Sequence, residues 1–512
     1  MKPYTKDDII SIYEQIKSCS KKSAPKHKWL KSLKFIEAAA NWAYSFNWIY
    51  YDEELELLLK EIAQNTQSDV VISNPDAQKA VIIDSFCLDN RGLTQQYIRA
   101  MMSNQMAILY ICTANTIKEK SDILSELRDY SKACILLFTD KSSNQIEKAS
   151  KIIETITLFS PASIFLHLTP NDTSALIACH MIKGATVFNI NLTDHAFWMG
   201  GAFINYNIEF RPYGETVSLE KRGLSELQLL VLPYYPITPR SNEFKGLPEL
   251  PSNSVIVFTG GALYKMLGKN DAFFKIMDAI LDLSPKVYVL VAGFNTEPQF
   301  DARQIAMKNK DRVIKIGRRN DIDIVFNKID IYLNTYPTSG ALMVQYAAKH
   351  GKPILSYYDK DDLEGRVEEL LNHYQDVFES YTDMNEYLGY ALKLISDVNF
   401  RKLEGKKLQN GLMTQEKFAE EFKKALKTHK SAWGVGHDEI DYERFFERYI
   451  DLENNNGFAA SKSIVKMLRS DVIQIKGYRW KFFRILSELA VDKVKRMVGD
   501  RYKELFLNDK SL

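Results

Sequence analysis

Cysteine is scarce: Cys19, Cys87, Cys112, Cys134 and Cys179 are the only five in 512 residues. They are odd in number, scattered and without metal-site spacing, which excludes a disulfide framework and a structural zinc, and points to a reducing compartment. No apolar run approaches the roughly 18–20 residues that span a bilayer. The opening residues, Met1-Lys-Pro-Tyr-Thr-Lys-Asp-Asp, lack the apolar core of a signal peptide, so the expected location is cytoplasmic. Excess charge of one sign is missing too. With 67 Lys+Arg against 65 Asp+Glu the chain has no footprint of a dedicated nucleic-acid binder. Internal repeats are not apparent, and a hydrophobic content of 46% excludes a disordered chain. The neutral balance is nevertheless uneven, because residues 461–512 hold 13 Lys+Arg against 6 Asp+Glu.

What is present begins with helical spacing over residues 1–75, where Leu30, Leu33, Ile36 and Ala40 recur at intervals of three or four, as do Leu55, Leu58, Leu59 and Ile62. Trp29, Trp42, Phe46 and Trp48 thicken that apolar face, which predicts a packed helical segment. From residue 76 to 235 short apolar runs (81–86, 107–112, 134–139, 162–167 and 186–190) alternate with amphipathic stretches (117–131, 144–157 and 172–183). Buried strands alternating with helices predict a parallel sheet covered on both faces. Pro233, Pro236, Pro239, Pro248 and Pro251 then mark a linker, placed at 236–253. The alternation restarts over 254–380, with strands at 254–258, 286–291, 313–316, 329–333 and 353–357 and helices at 271–283, 321–328, 339–350 and 361–375. Residues 381–512 read as helical and charged. The predicted fold is α/β: two Rossmann-like, doubly wound domains facing a cleft, with helical segments at either end.

The second half carries the chemistry of a phosphate site. Asn334-Thr-Tyr-Pro-Thr338-Ser339-Gly340 leaves a strand and opens a helix, offering unpaired amides, two hydroxyls and a positive dipole end. A simple N-cap is the competing reading. Gly260, Gly261 and Lys265 follow the first strand of this half, Gly293 the second, and Gly317-Arg318-Arg319 the third. Glycines allow close backbone approach, and an arginine can grip a phosphate with two donors. In the first half, His195 follows the strand at 186–190, where an imidazole has the pKa range to take a hydroxyl proton, with Asp194 to orient it. Packing beside Phe197 and Trp198 is the alternative. Asn90 and Arg91 occupy the loop after the first strand; a turn is the simpler explanation there. His167, His180 and His350 read as structural. Asp321 and Asp323 resemble a metal pair but sit at a helix start, where capping explains them, so no metal site is expected.

Gly-Gly after the first strand of the second half, Gly-Arg later, then Pro-Thr-Ser-Gly before Gly351-Lys-Pro353 resembles the nucleotide-sugar half of GT-B glycosyltransferases, nearest the inverting clan that includes O-GlcNAc transferase. Asn191-Leu-Thr-Asp194-His195-Ala-Phe-Trp198-Met-Gly200 and Glu209-Phe-Arg-Pro-Tyr-Gly214 resemble stretches of bacterial polysaccharide-cluster transferases. The resemblance spans roughly residues 30–360. It implies a metal-independent transfer of sugar from a nucleotide sugar, a UDP-sugar first among them, to a hydroxyl of a glycan, lipid-linked or protein acceptor. Gly260, Gly261, Lys265, Gly293, Arg318, Asn334, Thr338, Ser339, Gly340 and Gln345 would face the donor; His195 and Asp194 would catalyse; Asn90, Arg91 and Trp198 would lie toward the acceptor. Many retaining relatives carry two glutamates where this chain has Pro337 and Gln345, or Tyr346 on the other count, which favours inversion. A nucleotide-sugar 2-epimerase and a catalytically silent partner of another transferase are the rivals on the same fold. In the tail, Phe483, Leu486, Ala490, Val494 and Met497 at helical spacing, among Lys481, Arg484, Lys493, Lys495 and Arg496, predict either a helix lying on the inner face of an anionic membrane or a covering helix with a solvated basic face.

Overall fold

The computed structural model describes residues 3–90, 92–114, 121–139, 142–238, 243–295, 297–360, 366–455 and 458–488, with Lys269 by its backbone alone. Arg91 and the tail positions Ala490, Lys493, Val494, Lys495, Arg496 and Met497 lie outside the described residues. The first half contributes β1 (Val70–Val71), β2 (Asp76–Asp84), β3 (Ala107–Cys112), β4 (Ala133–Leu137), β5 (Pro161–His167), β6 (Ile182–Lys183), β7 (Thr186–Ile190), β8 (Tyr206–Glu209) and β9 (Leu229–Val231). Seven of these form one sheet in the order β4-β3-β2-β5-β7-β8-β9, every pairing parallel, while β1 and β6 pair separately. The continuous apolar texture of β3 is explained by burial on both faces. β8 and β9 extend the sheet beyond the strands foreseen, because only Ile208 and the short run 229–231 announce them.

The second half supplies β10 (Val255–Gly260), β11 (Val287–Ala292), β12 (Val313–Gly317), β13 (Ile331–Leu333) and β14 (Ile354–Leu355), all parallel, in the order β12-β11-β10-β13-β14. Two doubly wound lobes follow, as the alternation predicts. Each has a switch point where chain direction across the sheet reverses, between β2 and β5 in one and between β10 and β13 in the other. Ligands of such sheets bind beyond the strand ends at that point.

The flanking helices join the lobes. Helices Lys6–Ser23, Trp29–Phe46 and Glu53–Thr66 bury Trp42, Phe46 and Leu59 in the core under the first sheet. Helices Met384–Ser396 and Val398–Gly411 stay with the second lobe, but Gln415–Thr428 returns to the first, setting Phe418 and Phe422 edge-on to Tyr97. A core cluster runs without a break from Phe165 and Phe188 through Tyr234, Tyr235 and Ile237 to Phe258 and Tyr332.

Residues 233–237 of the proline-rich connection are buried. Their carbonyls are taken up from both lobes: Gln96 Nε2 donates to Tyr235 O (2.9 Å), Gln345 Nε2 to Tyr234 O (3.2 Å), and Tyr346 Oη to Ile237 O (2.7 Å). Prolines bring no donor of their own, so neighbouring side chains satisfy the strap. The helix expected at 361–375 is not formed by its described part, which holds only a short turn at Glu368–Leu370. Local bonds compete with a helix there: Asn372 Oδ1 accepts from the Val377 and Phe378 amides, and Glu368 from Ser380 N–H. In the tail, Phe482 and Ile485 are the buried side chains while Phe483 points outward, which moves the apolar face by one residue from its predicted place.

Gln345 donates to Leu370 O (3.1 Å) as well as to Tyr234 O and is fully buried. Replacing it by leucine leaves two buried carbonyls without a donor, and Gln345→Leu is expected to cost about 1–3 kcal/mol of unfolding free energy. Urea denaturation of the two proteins measures this.

Candidate active site

His195 and Asp194 occupy the loop that leaves the carboxyl end of β7. His195 Nδ1 lies 3.2 Å from Asp194 Oδ1. The Asp194 carboxylate also accepts from Arg211 Nε (2.5 Å) and Nη2 (3.2 Å) and is buried. Burial pushes the Asp194 carboxyl up, but the Arg211 charge and the bonds from His195 and Arg211 outweigh it and hold the group well below the usual carboxylate range. A fixed carboxylate favours the tautomer with a proton on Nδ1, leaving Nε2 as the free base. The His195 side chain remains 26% exposed, so a substrate hydroxyl can reach it.

The loop is held from below. Arg222 Nη2 donates to the carbonyls of Asp194 (2.8 Å) and Ala196 (2.7 Å). Asn191 Nδ2 donates to both Glu209 oxygens. Gly214 has a plain reason: a Cβ there would stand 2.4 Å from Glu209 Oε2 and 2.7 Å from Asp194 Cβ. The Glu209-to-Gly214 stretch thus builds the floor beneath the dyad. Trp198 belongs to that floor as well, buried with its ring 5.3 Å from the Arg222 guanidinium carbon. It lies in the core and not on an open acceptor surface.

The second half of the site gathers at the carboxyl edge of the other sheet. Gly261 N–H donates to Ala292 O (3.2 Å), and Gly293 N–H to Gly317 O (3.1 Å), so the ends of β10, β11 and β12 lie side by side. Gly293 has φ +125°, and a side chain there would collide with Gly261 O at 1.9 Å. The turn 334–340 is organised by Asn334, whose Oδ1 accepts from Gly340 N–H (2.9 Å) and whose Nδ2 donates to Ser356 Oγ (3.1 Å). Thr335 Oγ1 donates to Thr338 O (2.7 Å), and the Tyr336–Pro337 peptide is cis. The turn delivers the chain into helix Ala341–Lys349, whose first-turn amides point back over it. Lys265 Nζ donates to Ser339 O (2.7 Å). Arg318 is exposed at the end of β12, whereas Arg319 is committed to Asp321.

Nine expected donor residues therefore share one sheet edge: Gly260, Gly261, Lys265, Gly293, Arg318, Asn334, Thr338, Ser339 and Gly340. Gln345 does not join them, being the buried strut described above. Asn90 lies past β2, at the same edge of the first sheet as the dyad, but its amide is tied to Asp122 Oδ2 (2.9 Å). Asp321 and Asp323 are spent on Arg319, and on Lys349 and His350. Among the described residues no group of three His, Cys, Asp or Glu side chains is placed to hold a metal ion. His167 is fully enclosed with Asp84 (3.0 Å) and Thr94 (2.9 Å), beyond the reach of a ligand.

Helix Tyr442–Asn455 falls in the stretch read as helical, but its place between the dyad and the turn is what the sequence did not reveal. Phe445 and Tyr449 flank the His195 ring at centroid distances of 6.0 and 6.5 Å, the latter stacked. Between them Arg448 donates to Thr338 Oγ1 and approaches Pro337 O (3.4 Å). Residues one turn apart on one helix thus touch the dyad and the phosphate-like turn. The alternation of arginine and aromatic residues in 444–449 was the available signal, but it looks like any charged amphipathic helix.

No family model and no curated protein matches this sequence. Solved structures do. An O-GlcNAc transferase of Thermobaculum terrenum, as a mutant, superposes with a TM-score of 0.50 at 15% identity over 87% of this chain and 83% of its own. A glycosyltransferase from Rickettsia africae ESF-5 gives 0.50 at 12% identity, over 69% of this chain and 98% of its own. The fold is GT-B-like. At such identities the likeness is one of architecture, and the chemistry has to be argued from the residues.

Behind the dyad lies a knot of buried carboxyls. Burial pushes Glu209 up to about 7 despite Arg222 and Ser218, Glu215 up to about 8 although Gly436 N–H donates to it, and Glu369 up to about 7 against the pull of Arg211 and Arg366. A glutamate raised in the folded state costs nothing below its unfolded pKa, and destabilises progressively as pH climbs to the folded value. Asp194 acts oppositely, and its contribution fails only in strong acid. The melting temperature is therefore expected to peak at mildly acidic pH and to fall toward pH 8.5. Glu215→Gln, which keeps an acceptor for Gly436, should flatten that fall; calorimetric scans across pH check it.

Proposed function

We propose that this protein transfers a sugar from a nucleotide sugar, in the first instance a UDP-sugar, to an acceptor hydroxyl with inversion. The observation that carries the reading is the arrangement just described, in which a carboxylate-oriented imidazole and a cation- and amide-rich turn meet on a single helix. His195 Nε2 takes the proton of the acceptor hydroxyl, and the oxygen attacks the anomeric carbon. The bond from that carbon to the diphosphate oxygen breaks, and the nucleoside diphosphate leaves with the electron pair. Lys265, Arg318, Arg448 and the amides opening helix Ala341–Lys349 offset the charge that grows on the leaving group. Asp194, kept ionised by Arg211, stabilises the imidazolium that forms. These groups stand ready before reaction, so little reorganisation is needed.

The surface of the C-terminal segment supports a glycan or lipid-linked acceptor. Trp480 (85%) and Phe483 (59%) are exposed on the segment around Gly477, together with Lys476, Arg479 and Arg484. Aromatic rings among cations suit the surface of an anionic membrane. Among the described residues no helix is long and apolar enough to cross one. Wild type should therefore sediment with phosphatidylglycerol vesicles more than with phosphatidylcholine vesicles, and Trp480→Ser/Phe483→Ser should lose the difference. Equal sedimentation of wild type and variant would remove this attachment.

Transfer is tested by incubating a panel of nucleotide sugars with candidate acceptors and following nucleoside diphosphate release. His195→Ala should lower kcat by about 10²–10⁴-fold with donor affinity little changed. Arg448→Ala should weaken donor binding by about tenfold. Normal turnover by His195→Ala sinks the assignment. Conversion of donor without acceptor favours an epimerase, and absence of nucleotide binding favours a silent partner.

A further inference from the structure

A cavity of about 270 Å³ lies at the opposite edge of the first sheet from His195, where β7 begins. It is bounded by the end of helix Thr173–Met181, by β6 and by the chain entering β8, and Lys60 reaches it from helix Glu53–Thr66. Its volume falls just under the usual range for small-molecule pockets, suited to one sugar-sized group.

The charge in this cavity has one sign. Lys60 and Lys183 both line it, no aspartate or glutamate does, and neither lysine has a carboxylate within salt-bridge distance among the described residues. Lys183 Nζ is held by the carbonyl of His180 (2.7 Å). The His180 side chain packs edge-on to Phe203 at 4.7 Å, and the residue is only 6% exposed. Its Nε2 has no hydrogen-bond partner. A buried ring nitrogen left unpaired is unusual and calls for a ligand or a structural reason. Asn205 adds an amide, its Oδ1 already accepting from Val187 N–H (2.8 Å), so that its Nδ2 hydrogens remain to donate. Burial and the two lysines push His180 down to about 4, so the empty cavity keeps the ring neutral. Cys179, the other titratable group in the lining, is pushed up to about 12 by burial and stays a thiol.

We propose that this cavity binds an oxyanion, a phosphate or carboxylate borne by a sugar-sized molecule, between Lys60, Lys183 and His180. The anion would neutralise the two ammonium groups and accept a hydrogen bond from the orphaned imidazole nitrogen, which would take up a proton from solvent as the anion binds. The site stands apart from the proposed donor and acceptor positions and does not depend on the transfer reaction.

Isothermal titration of the full chain with inorganic phosphate, glucuronate and glucose, in two buffers of different ionisation enthalpy, tests the proposal. Saturable binding of phosphate or of glucuronate, with proton uptake and without binding of glucose, is the expected result, and whichever anion binds identifies the source. Lys60→Met should weaken that binding by about tenfold, and Lys60→Arg should restore it. Lys60 is exposed on its helix, so these variants test charge without disturbing the core; His180→Gln should abolish the buffer dependence. Binding of neither anion, equal binding of glucose, or affinity unchanged in Lys60→Met and His180→Gln would overturn it.

Discussion

The contact between helix Tyr442–Asn455 and the two sheet edges is the constraint on which the rest depends. Phe445 and Tyr449 enclose the His195 ring while Arg448 reaches the turn at Thr338. Without that helix the dyad and the turn would be features of separate lobes. The packing explains why so much chain follows the second lobe. Helices Met384–Ser396 and Val398–Gly411 cover that lobe, Gln415–Thr428 crosses back to the first, and the bridging helix is threaded between them.

The dyad has its own hierarchy of supports. Arg211 fixes the Asp194 carboxylate, Arg222 fixes the loop backbone, and Glu209 ties Asn191 and Asn207 beneath both. These are buried polar groups whose removal one at a time leaves an unpaired partner, so the network is stiff. Its stiffness is accompanied by the raised glutamates, which put His195 on a platform more stable in mild acid than in alkali. The edge formed by the ends of β10, β11 and β12 and the turn 334–340 is built differently, from backbone amides, glycine and close main-chain approach, with Lys265, Arg318 and Arg448 as its cations.

Much of the fold was legible in the sequence because parallel strands buried on both faces leave short apolar runs, uninterrupted in 107–112 and nearly so in 186–190. The gathering of Gly260, Gly261, Gly293 and the turn 334–340 at one sheet edge was legible for a related reason: residues directly after such parallel runs stand together at the strand ends. What could not be read was whatever depends on distant partners. Short strands such as β9 carry too few residues to show a period. The strap at 233–237 read as part of a linker region because its satisfying donors, Gln96, Gln345 and Tyr346, lie far away in sequence. Gln345 would face the donor by the resemblance, yet its side chain lies in the core. Arg448 was invisible for the same reason, since a residue more than 100 positions beyond Thr338 gives no local sign of touching it.

Hydrogen exchange with and without a bound UDP-sugar measures the bridging role of the helix most directly. The account predicts added protection at 259–266, 335–344 and 442–455 together, extending to the dyad loop at 191–203. Protection confined to the second lobe, with the amides of 442–455 exchanging as before, would contradict it.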